Sequence, residues 1–442
     1  MTLHGEGGTI KMALKMPDIT AKPDPYALWR NPNYRHYAGS WFLITFSRRI
    51  EFVAISFYLV KLYGDPKQES LLLGILGLVQ ALPVMLLSIP GGQIADRFNR
   101  LRVMTLSFSL GILSAAGLVA VALFVDDATV WFYLLLAIGA VGWALGNPSR
   151  QAMLPSLIST ELFSTGVAWN SSVFYIASVT GPIVGGAMVA MFDTMAPAFA
   201  LILFCRIAAI AAISQIRYHP AIHTEQSISW KSVVAGIRFV RRTPLILATI
   251  TLDLFAVLLG GVTYLLPVYA AMLHVGAIGY GVLMAADMVG AICMAIVLAH
   301  RPPLRRAGVT LLWAVTGFGA ATIIFGVSTW FWLSLLMMFV IGALDNISVV
   351  VRHTLVQMLT PDEMRGRVSA VNSIFIVASN DLGGMESGFT ARLFGPVASV
   401  VAGGVGTILV VLVSMRIWPQ ILKIGSLDSI RPAALDEPDR DV

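Results

Sequence analysis

Residues 91–102 read Gly91-Gly92-Gln93-Ile94-Ala95-Asp96-Arg97-Phe98-Asn99-Arg100-Leu101-Arg102. They separate two apolar runs, residues 71–90 and 103–125, each long enough to cross a bilayer as a helix, which takes about 20 residues. The stretch is therefore predicted to be a tight, charged loop that joins two spanning helices at one membrane face. Asn99 is expected to help the chain turn, because Asn adopts positive φ more readily than most residues.

The composition is that of a protein embedded in a membrane. Of the 442 residues, 57% are hydrophobic and only 12% are charged, whereas a soluble domain carries about 25% charged residues. The net charge of +6 could suggest a nucleic-acid partner, but the basic residues punctuate apolar runs instead of clustering on one polar face. Membrane topology explains this pattern better, so we expect the lipid bilayer, not nucleic acid, around the chain.

Twelve apolar segments predict an all-α membrane protein with about twelve transmembrane helices. A polar stretch, residues 217–243, divides them into two sets of six, and apolar residues recur within it at helical spacing. That spacing predicts an amphipathic helix on the membrane surface. The apolar segments are 37–63, 71–90, 103–125, 130–146, 163–192, 196–216, 245–273, 280–299, 309–327, 330–346, 368–393 and 396–418.

Arginines in the loops fall mainly on the side shared by both chain ends. By the positive-inside rule that side is cytoplasmic. Both termini and the central loop are therefore predicted to face the cytoplasm of a multi-pass protein in the inner (plasma) membrane. The arginines on this side are Arg97, Arg100, Arg102, Arg150, Arg217, Arg301, Arg305, Arg306, Arg365 and Arg367.

An internal repeat is visible when the chain is shifted by 202 positions, which gives eight identical pairs between residues 150 and 188. Parallel repeats of this kind build several membrane folds. We therefore predict an N-terminal segment (1–36), a first six-helix half (37–216), a central loop (217–243), a second half (244–418) and a polar tail (419–442). The pairs include Arg150 with Arg352, Glu161 with Glu363 and Asn170 with Asn372.

The spacing in residues 91–102, a Gly, three residues, Asp-Arg, two residues and Arg, resembles the signature loop of the major facilitator superfamily of transporters. Asn99 and Leu101 depart from that pattern. In the superfamily, the corresponding Asp latches the two halves of the protein together on the cytoplasmic side when the cavity opens outward. The resemblance implies a latch in which Asp96 docks at the start of the eleventh apolar segment, residues 368–393. Its members would be Gly92, Asp96, Arg97, Arg100, Arg365 and Arg367.

The fifth segment contains Gly181-Pro182-Ile183-Val184-Gly185-Gly186. A proline removes a backbone hydrogen bond, and glycines let a neighbouring helix come close, so a packing kink is one reading. The string also resembles the signature of the superfamily's antiporters, which exchange substrate for protons. That resemblance implies an antiporter-like kink at Gly181, Pro182, Gly185 and Gly186.

A narrower resemblance covers nearly the whole chain, from Asn31-Pro32-Asn33-Tyr34-Arg35 onward. Residues 252–268, 345–352, 359–372 and 379–383 are similar to transmembrane secretion effectors, the exporter group that includes the enterobactin exporter. Acids at Asp253 and Asp381 fit the pattern of that group. Gly384-Met385-Glu386 departs from it. The resemblance implies the major facilitator fold, with two six-helix halves, and export of a small molecule.

Charged residues inside spans are expensive and are therefore candidates for function. Arg48 and Glu51 lie three residues apart on one helix face, which predicts an ion pair. Asp381 and Glu386, five apart, point about 140° away from each other and should not share a site. A carboxyl group in a low-dielectric cavity can exchange protons near neutral pH, and an arginine opposite would compete with the proton. The candidates for proton coupling or substrate contact are Arg48, Glu51, Arg206, Asp253, Asp287, Asp381 and Glu386.

These features predict a secondary active transporter, a proton-coupled exporter of a small siderophore- or drug-like molecule that works by alternating access. We expect it to be a monomer driven by the proton gradient without a cofactor. The alternatives are an uptake symporter, against which the string 181–186 argues, and a transport-inactive receptor or scaffold. An intramembrane enzyme is disfavoured because the sequence shows no zinc-protease or serine-hydrolase motif.

Overall fold

The computed structural model describes residues 26–62, 64–192, 194–217, 230–301 and 304–426. Most of the N-terminal segment and the polar end of the tail lie outside these ranges. The helices are α1 Pro32–Lys61, α2 Pro66–Arg97, α3 Arg100–Phe124, α4 Thr129–Leu157, α5 Phe163–Met191, α6 Ala196–Ser214, α7 Trp230–Arg242, α8 Pro244–Gly260, α9 Leu266–Met272, α10 Gly276–His300, α11 Ala307–Val327, α12 Phe331–Leu359, α13 Arg365–Phe394 and α14 Pro396–Ile417.

The all-helical membrane fold predicted from the sequence is confirmed. Within the described ranges, nine helices are long and apolar enough to cross a bilayer: α2 to α6, α10 to α12 and α14. Two further helices of 30 residues, α1 and α13, pack among them and carry charged residues near their middles. The count of twelve stays a prediction, because the helix in the seventh position is interrupted.

The two halves, α1–α6 and α8–α14, have the same internal packing. In the first half α1 packs on α5 and α6, α4 packs on α2 and α3, and α3 packs on α6. In the second half α8 packs on α13 and α14, α12 packs on α10 and α11, and α11 packs on α14. Each of these contacts has its counterpart at the same place in the other half, as expected for a parallel repeat. The halves meet mainly through α2 with α13 and α5 with α10.

The seventh span is broken, which corrects the continuous segment 245–273. α8 ends at Gly260, and α9 begins only at Leu266. Two glycines, Gly260 and Gly261, favour the break because glycine is a poor helix former. Pro267, in the first turn of α9, lacks an N–H group and favours a new helix start over continuation.

The stretch 91–102 is mostly helical, so the predicted loop is wrong in extent. α2 continues through Arg97, and only Phe98 and Asn99 separate it from α3. Asn99 has φ −59°, not the positive φ expected. Its side chain instead accepts hydrogen bonds from the N–H groups of Leu101, at 3.0 Å, and Arg102, at 3.2 Å. Asn99 therefore acts as the N-cap of α3, a role that Asn fills well.

One face of the bundle holds the beginning of α1 and the end of α14, and we call it the terminal face. There Asn31 donates to the carbonyl of Leu157 at 3.2 Å, and the N–H of Ala307 donates to Gly425 at 3.0 Å. At the opposite face one hydrophobic cluster combines residues of both halves. At the terminal face two clusters belong to one half each, and a third, centred on α7, α8 and α13, includes only Ile89 from the first half. The halves are thus closed together at the opposite face.

We expect the terminal face to be cytoplasmic, because the loop arginines concentrate there. An alkaline phosphatase reporter fused after Arg242, at the end of α7, should therefore be inactive, and a green fluorescent protein fused at the same point should be bright. A fusion after Lys61, at the opposite face, is the matched control with the reverse result. An active phosphatase after Arg242 would contradict this orientation.

Candidate functional site

A cavity of about 440 Å³ lies between the two halves at the middle of the bundle. Its volume falls in the range of about 300–1,000 Å³ that is usual for small-molecule sites. α1, α2, α4 and α5 line it from one side, and α8, α10, α12, α13 and the α8–α9 break line it from the other. Because both halves contribute, a rigid-body movement of one half against the other reshapes the whole cavity.

The wall contributed by the first half is aromatic and cationic. The guanidinium carbon of Arg48 lies 3.9 Å from the ring centroid of Trp143, and that of Arg49 lies 5.9 Å from the ring of Phe174. Trp41 stacks between these two rings, with centroids 5.7 Å from Trp143 and 6.1 Å from Phe174. Cation–π contacts stabilise an arginine that has lost water. They hold both guanidinium groups at the cavity surface.

The wall contributed by the second half is anionic. Asp287 of α10 and Asp381 of α13 both line the cavity. The hydroxyl of Tyr264, in the α8–α9 break, donates to Asp381 at 3.0 Å. Arg48 interacts electrostatically with Glu51 of its own helix and, across the cavity, with Asp381, and Arg49 interacts across the cavity with Asp287. Two consecutive arginines on one helix therefore each face one acid of the other half.

Glu51 does not pair with Arg48, so the predicted pair is wrong in its partner. Arg206 of α6 donates to the carboxylate of Glu51 at 2.6 Å and to the carbonyl of Gly111 at 2.7 Å. Both charged side chains are 8% exposed. The spacing in α1 allows a pair with Arg48, but Arg48 lies over Trp143 instead. Glu51 and Arg206 lie behind the cavity wall, where they join α1 to α6.

Asp253 forms a buried ion pair with Arg352 of α12 and is not among the residues that line the cavity. Arg352 is the largest fully buried side chain of the described residues. Its repeat counterpart Arg150 forms no ion pair with an acid among the described residues. Arg150 donates to the hydroxyl of Tyr37 at 3.2 Å and lies 3.6 Å from the ring centroid of Trp41. The same packing position thus holds an ion pair in one half and a cation–π contact in the other.

Glu386 faces away from the cavity. Its carboxylate accepts a hydrogen bond of 2.7 Å from the Thr390 hydroxyl, one turn further along α13. Asp381 lines the cavity and Glu386 does not, which agrees with the angular separation predicted from their spacing. The structure therefore places one acid of α13 at the candidate site and the other elsewhere on the helix.

The string 181–186 packs on two sides, within a continuous α5. A Cβ atom on Gly181 would lie 2.6 Å from the Cβ of Arg49, within the same half. A Cβ on Gly186 would lie 2.3 Å from the carbonyl of Ala277 in α10 of the other half. From the facing side, a Cβ on Gly281 would lie 2.3 Å from the carbonyl of Pro182. Gly186 and Gly281 let the backbones of α5 and α10 come into contact near the opposite face.

The latch stays a prediction, although the helix register favours it. α2 and α13 run antiparallel: a Cβ on Gly74 would lie 3.0 Å from the Cα of Gly388, and Ile89 joins the cluster that contains Val368. Asp96, two turns beyond Ile89, falls level with the first turn of α13 in this register. It is exposed at the end of α2.

The arginines assigned to the latch have described contacts of their own. Arg100 donates to the carbonyl of Ala152 at 2.9 Å, which joins α3 to α4. Arg365 pairs with Asp362 at 2.7 Å, and Arg367 contacts the sulfur of Met364 at 3.5 Å. Arg97 is exposed, and Gly92 is buried near the end of α2. These contacts lie at the terminal face, as Asp96 does.

Sequence reasoning missed three features of the site. Tyr264 was not recognised as the partner of Asp381, and no pattern in the sequence indicates it. Arg352 was noted only as a repeat position, although an arginine in an apolar helix calls for an acid partner. Trp41 and Trp143 could have been found, because tryptophan concentrates at membrane interfaces and is unusual in the middle of a span.

Comparison with known proteins agrees with this architecture. A family profile described as transmembrane secretion effector matches residues 45–440. An enterobactin exporter from Citrobacter koseri is 26% identical over 339 residues, covering 75% of this chain and 79% of the relative. An enterobactin exporter from Escherichia coli is 26% identical over 354 residues, covering 76% of this chain and 83% of the relative.

Solved structures show the same fold at low sequence identity. The crystal structure of a D-xylose–proton symporter superposes with a TM-score of 0.68 at 14% identity, over 88% of this chain and 97% of that one. A bacterial homologue of the lysosomal transporter Spinster, inward-facing and occupied, gives 0.67 at 14% identity, over 89% and 98%. With the profile match over most of its length, the chain belongs to the transmembrane secretion effector family of the major facilitator superfamily.

Proposed function

We propose that this protein exports a small organic molecule by alternating access, in exchange for protons. The observation that carries the proposal is the cavity between the halves, closed at the opposite face and walled by arginines from one half and acids from the other. A site that both halves build can be opened to either side in turn. With a cytoplasmic terminal face, the structure represents the state that closes the cavity from the outside.

The substrate is siderophore-like or drug-like in this proposal. The curated relatives named above are enterobactin exporters, and the chain covers about four fifths of their length. The cavity supports an organic solute, because stacked aromatic rings and three methionines, Met284, Met288 and Met338, line it together with the charged groups. Methionine adapts its shape to irregular ligands.

Proton coupling rests on the charges that face each other across the cavity. A proton on Asp381 would remove its attraction to Arg48 and free that arginine for an anionic group of the substrate. Binding a proton and binding the substrate then act on the same guanidinium, so each affects the affinity for the other. Thermodynamic coupling of this type is reciprocal and amounts to about 1–3 kcal/mol in typical cases.

Uptake by symport is the alternative transport function. One of the solved structures with this fold is a symporter, so the fold does not decide whether the substrate is exported or taken up. The family match and the 181–186 string favour export. A transport-inactive receptor or scaffold would not need acids and arginines facing each other at mid-depth, where charges are expensive. We further propose a monomer in the inner membrane, without enzymatic activity or a resident cofactor.

The test is release of enterobactin from cells that produce this siderophore but lack their own exporter. The protein should raise enterobactin in the medium and lower it inside the cells. Asp381→Asn should reduce proton-driven efflux about 5- to 150-fold, the usual range of coupling between two sites. Glu386→Gln, the same type of change on the same helix but outside the cavity, is the matched control and should transport normally.

Transport assays in everted membrane vesicles with an imposed proton gradient test the export proposal separately from the assignment of Asp381 as the proton site. If the protein moves neither enterobactin nor a cationic dye such as ethidium, the export proposal is wrong. Accumulation in the direction of uptake would replace it with symport. If Asp381→Asn transports as fast as the parent protein while Glu386→Gln does not, the assignment of the proton site is wrong.

A further inference from the structure

We infer that α7 is a binding site for anionic phospholipids of the membrane leaflet at the terminal face. The site is the exposed stripe of this helix formed by Val234, Ile237, Arg238 and Arg241. None of these four residues lines the cavity, so the site is separate from the proposed substrate site. The inference rests on the orientation of α7, on the residues of its two faces and on its contact with α13.

The orientation of α7 follows from its junction with α8. The two helices meet at a bend of 105°. Because α8 runs along the bundle, α7 lies across it, at the level of the terminal face. One stripe of α7 packs inward: Ala235, Phe239 and Val240 are at most 4% exposed, in one cluster with residues of α8, α12 and α13. The protein thus fixes which stripe of α7 faces outward.

The outward stripe combines aliphatic and cationic side chains. Val234 is 49% exposed and Ile237 is 40% exposed, and Arg238 and Arg241 are also exposed. Positions 234, 237, 238 and 241 follow the i, i+3, i+4, i+7 spacing of a single helix face. In-plane helices bind anionic bilayers with this combination, since aliphatic groups enter the acyl boundary while arginines extend to the phosphates. Charge complementarity identifies the occupant as an anionic phospholipid.

A tight contact connects the lipid stripe to a helix of the cavity. A Cβ atom on Gly236 would lie 2.8 Å from the carbonyl of Arg367 and 3.0 Å from a methyl group of Val371. α7 therefore rests directly on the beginning of α13, the helix that carries Asp381. A lipid bound to α7 acts on a helix that must move when the halves rearrange, so lipid charge should also alter the rate of the cycle.

The test is a titration of the purified full chain in detergent with phosphatidylglycerol, with bound lipid counted by native mass spectrometry. Phosphatidylglycerol should bind more tightly than phosphatidylcholine. Each arginine near a membrane surface contributes about 1 kcal/mol, so Arg238→Gln/Arg241→Gln should weaken binding about 30-fold. Arg305→Gln/Arg306→Gln, the same charge change at the same face outside α7, is the matched control and should leave the affinity unchanged.

Two further arms distinguish a lipid from a free phosphate. Val234→Ser/Ile237→Ser should also weaken phosphatidylglycerol binding, and glycerol phosphate should not displace the lipid. The inference is overturned if both lipids bind equally, if the control pair has the same effect as the α7 pair, or if glycerol phosphate competes fully. This readout needs no substrate, so its failure is distinguishable from failure of the export proposal.

Discussion

Asp253→Ala should lower the free energy of unfolding by about 3–5 kcal/mol, the usual result of leaving one partner of a buried ion pair alone. Arg352 would remain fully buried and charged, because a guanidinium group does not lose its proton in proteins. Arg352→Met should be milder, since a lone carboxyl group can be neutralised by a proton. Asp253→Leu/Arg352→Met should lie near the parent protein or above it, because apolar replacement of both partners is often neutral or stabilising.

Unfolding in mixed micelles with rising sodium dodecyl sulfate measures these differences. Arg150→Met, at the repeat position of Arg352, is the matched control, because it removes an arginine whose described partners, Tyr37 and Asn147, are neutral. Transport by the double variant then decides whether the pair is structural or part of coupling. A stable but inactive double variant assigns it a role in the cycle. A parent-like stability of Asp253→Ala would contradict the ion pair itself.

Gly186→Ala and Gly281→Ala should each shift the protein toward states that are open at the opposite face. In the present state each added methyl would lie 2.3 Å from a backbone carbonyl of the other half, a distance that requires the helices to separate. Overpacking of this kind costs about 1–3 kcal/mol, which is roughly a 5- to 150-fold change in the population of the two states.

Thiol labelling measures that shift. Val268 is fully buried in the shared cluster at the opposite face and would be replaced by cysteine as the reporter. The two free cysteines, Cys205 and Cys293, would first be replaced by serine. A membrane-impermeant maleimide should then react faster in the two glycine variants. Gly39→Ala is the control, since a Cβ there meets nothing within 4 Å. Equal labelling in all three would show that α5 and α10 do not hold the halves closed.

The positions of the helices were predictable because an apolar run of sufficient length enters the bilayer as a helix. About 20 apolar residues in a row have few alternatives to a spanning helix, and the repeat shows how the helices group into halves. Helix ends were less predictable. Whether Asn99 turns the chain or caps α3 depends on which N–H groups lie nearby, and both roles suit the same residue. The break after Gly260 was also missed, because tertiary packing often tolerates glycine inside a helix.

Partners of the charged residues were the least predictable part of the site. The spacing of Arg48 and Glu51 describes one helix only, whereas the partner of Glu51 lies on α6, 155 residues away in the chain. Distances between helices depend on packing that a single sequence does not display. The sequence shows which charged residues lie inside spans but not how they pair, and the acid at Asp253 lies outside the cavity.

The charged walls of the cavity also have a directional consequence. Arg48 and Arg49 lie on one side, and Asp287 and Asp381 lie on the other. An electric field therefore crosses the cavity from one half of the protein to the other. A solute that carries a dipole lowers its energy when its negative end points to α1, and in the low dielectric of the bundle this preference is strong. We therefore expect such a solute to cross the cavity in one preferred orientation, whereas a solute without a dipole would have none.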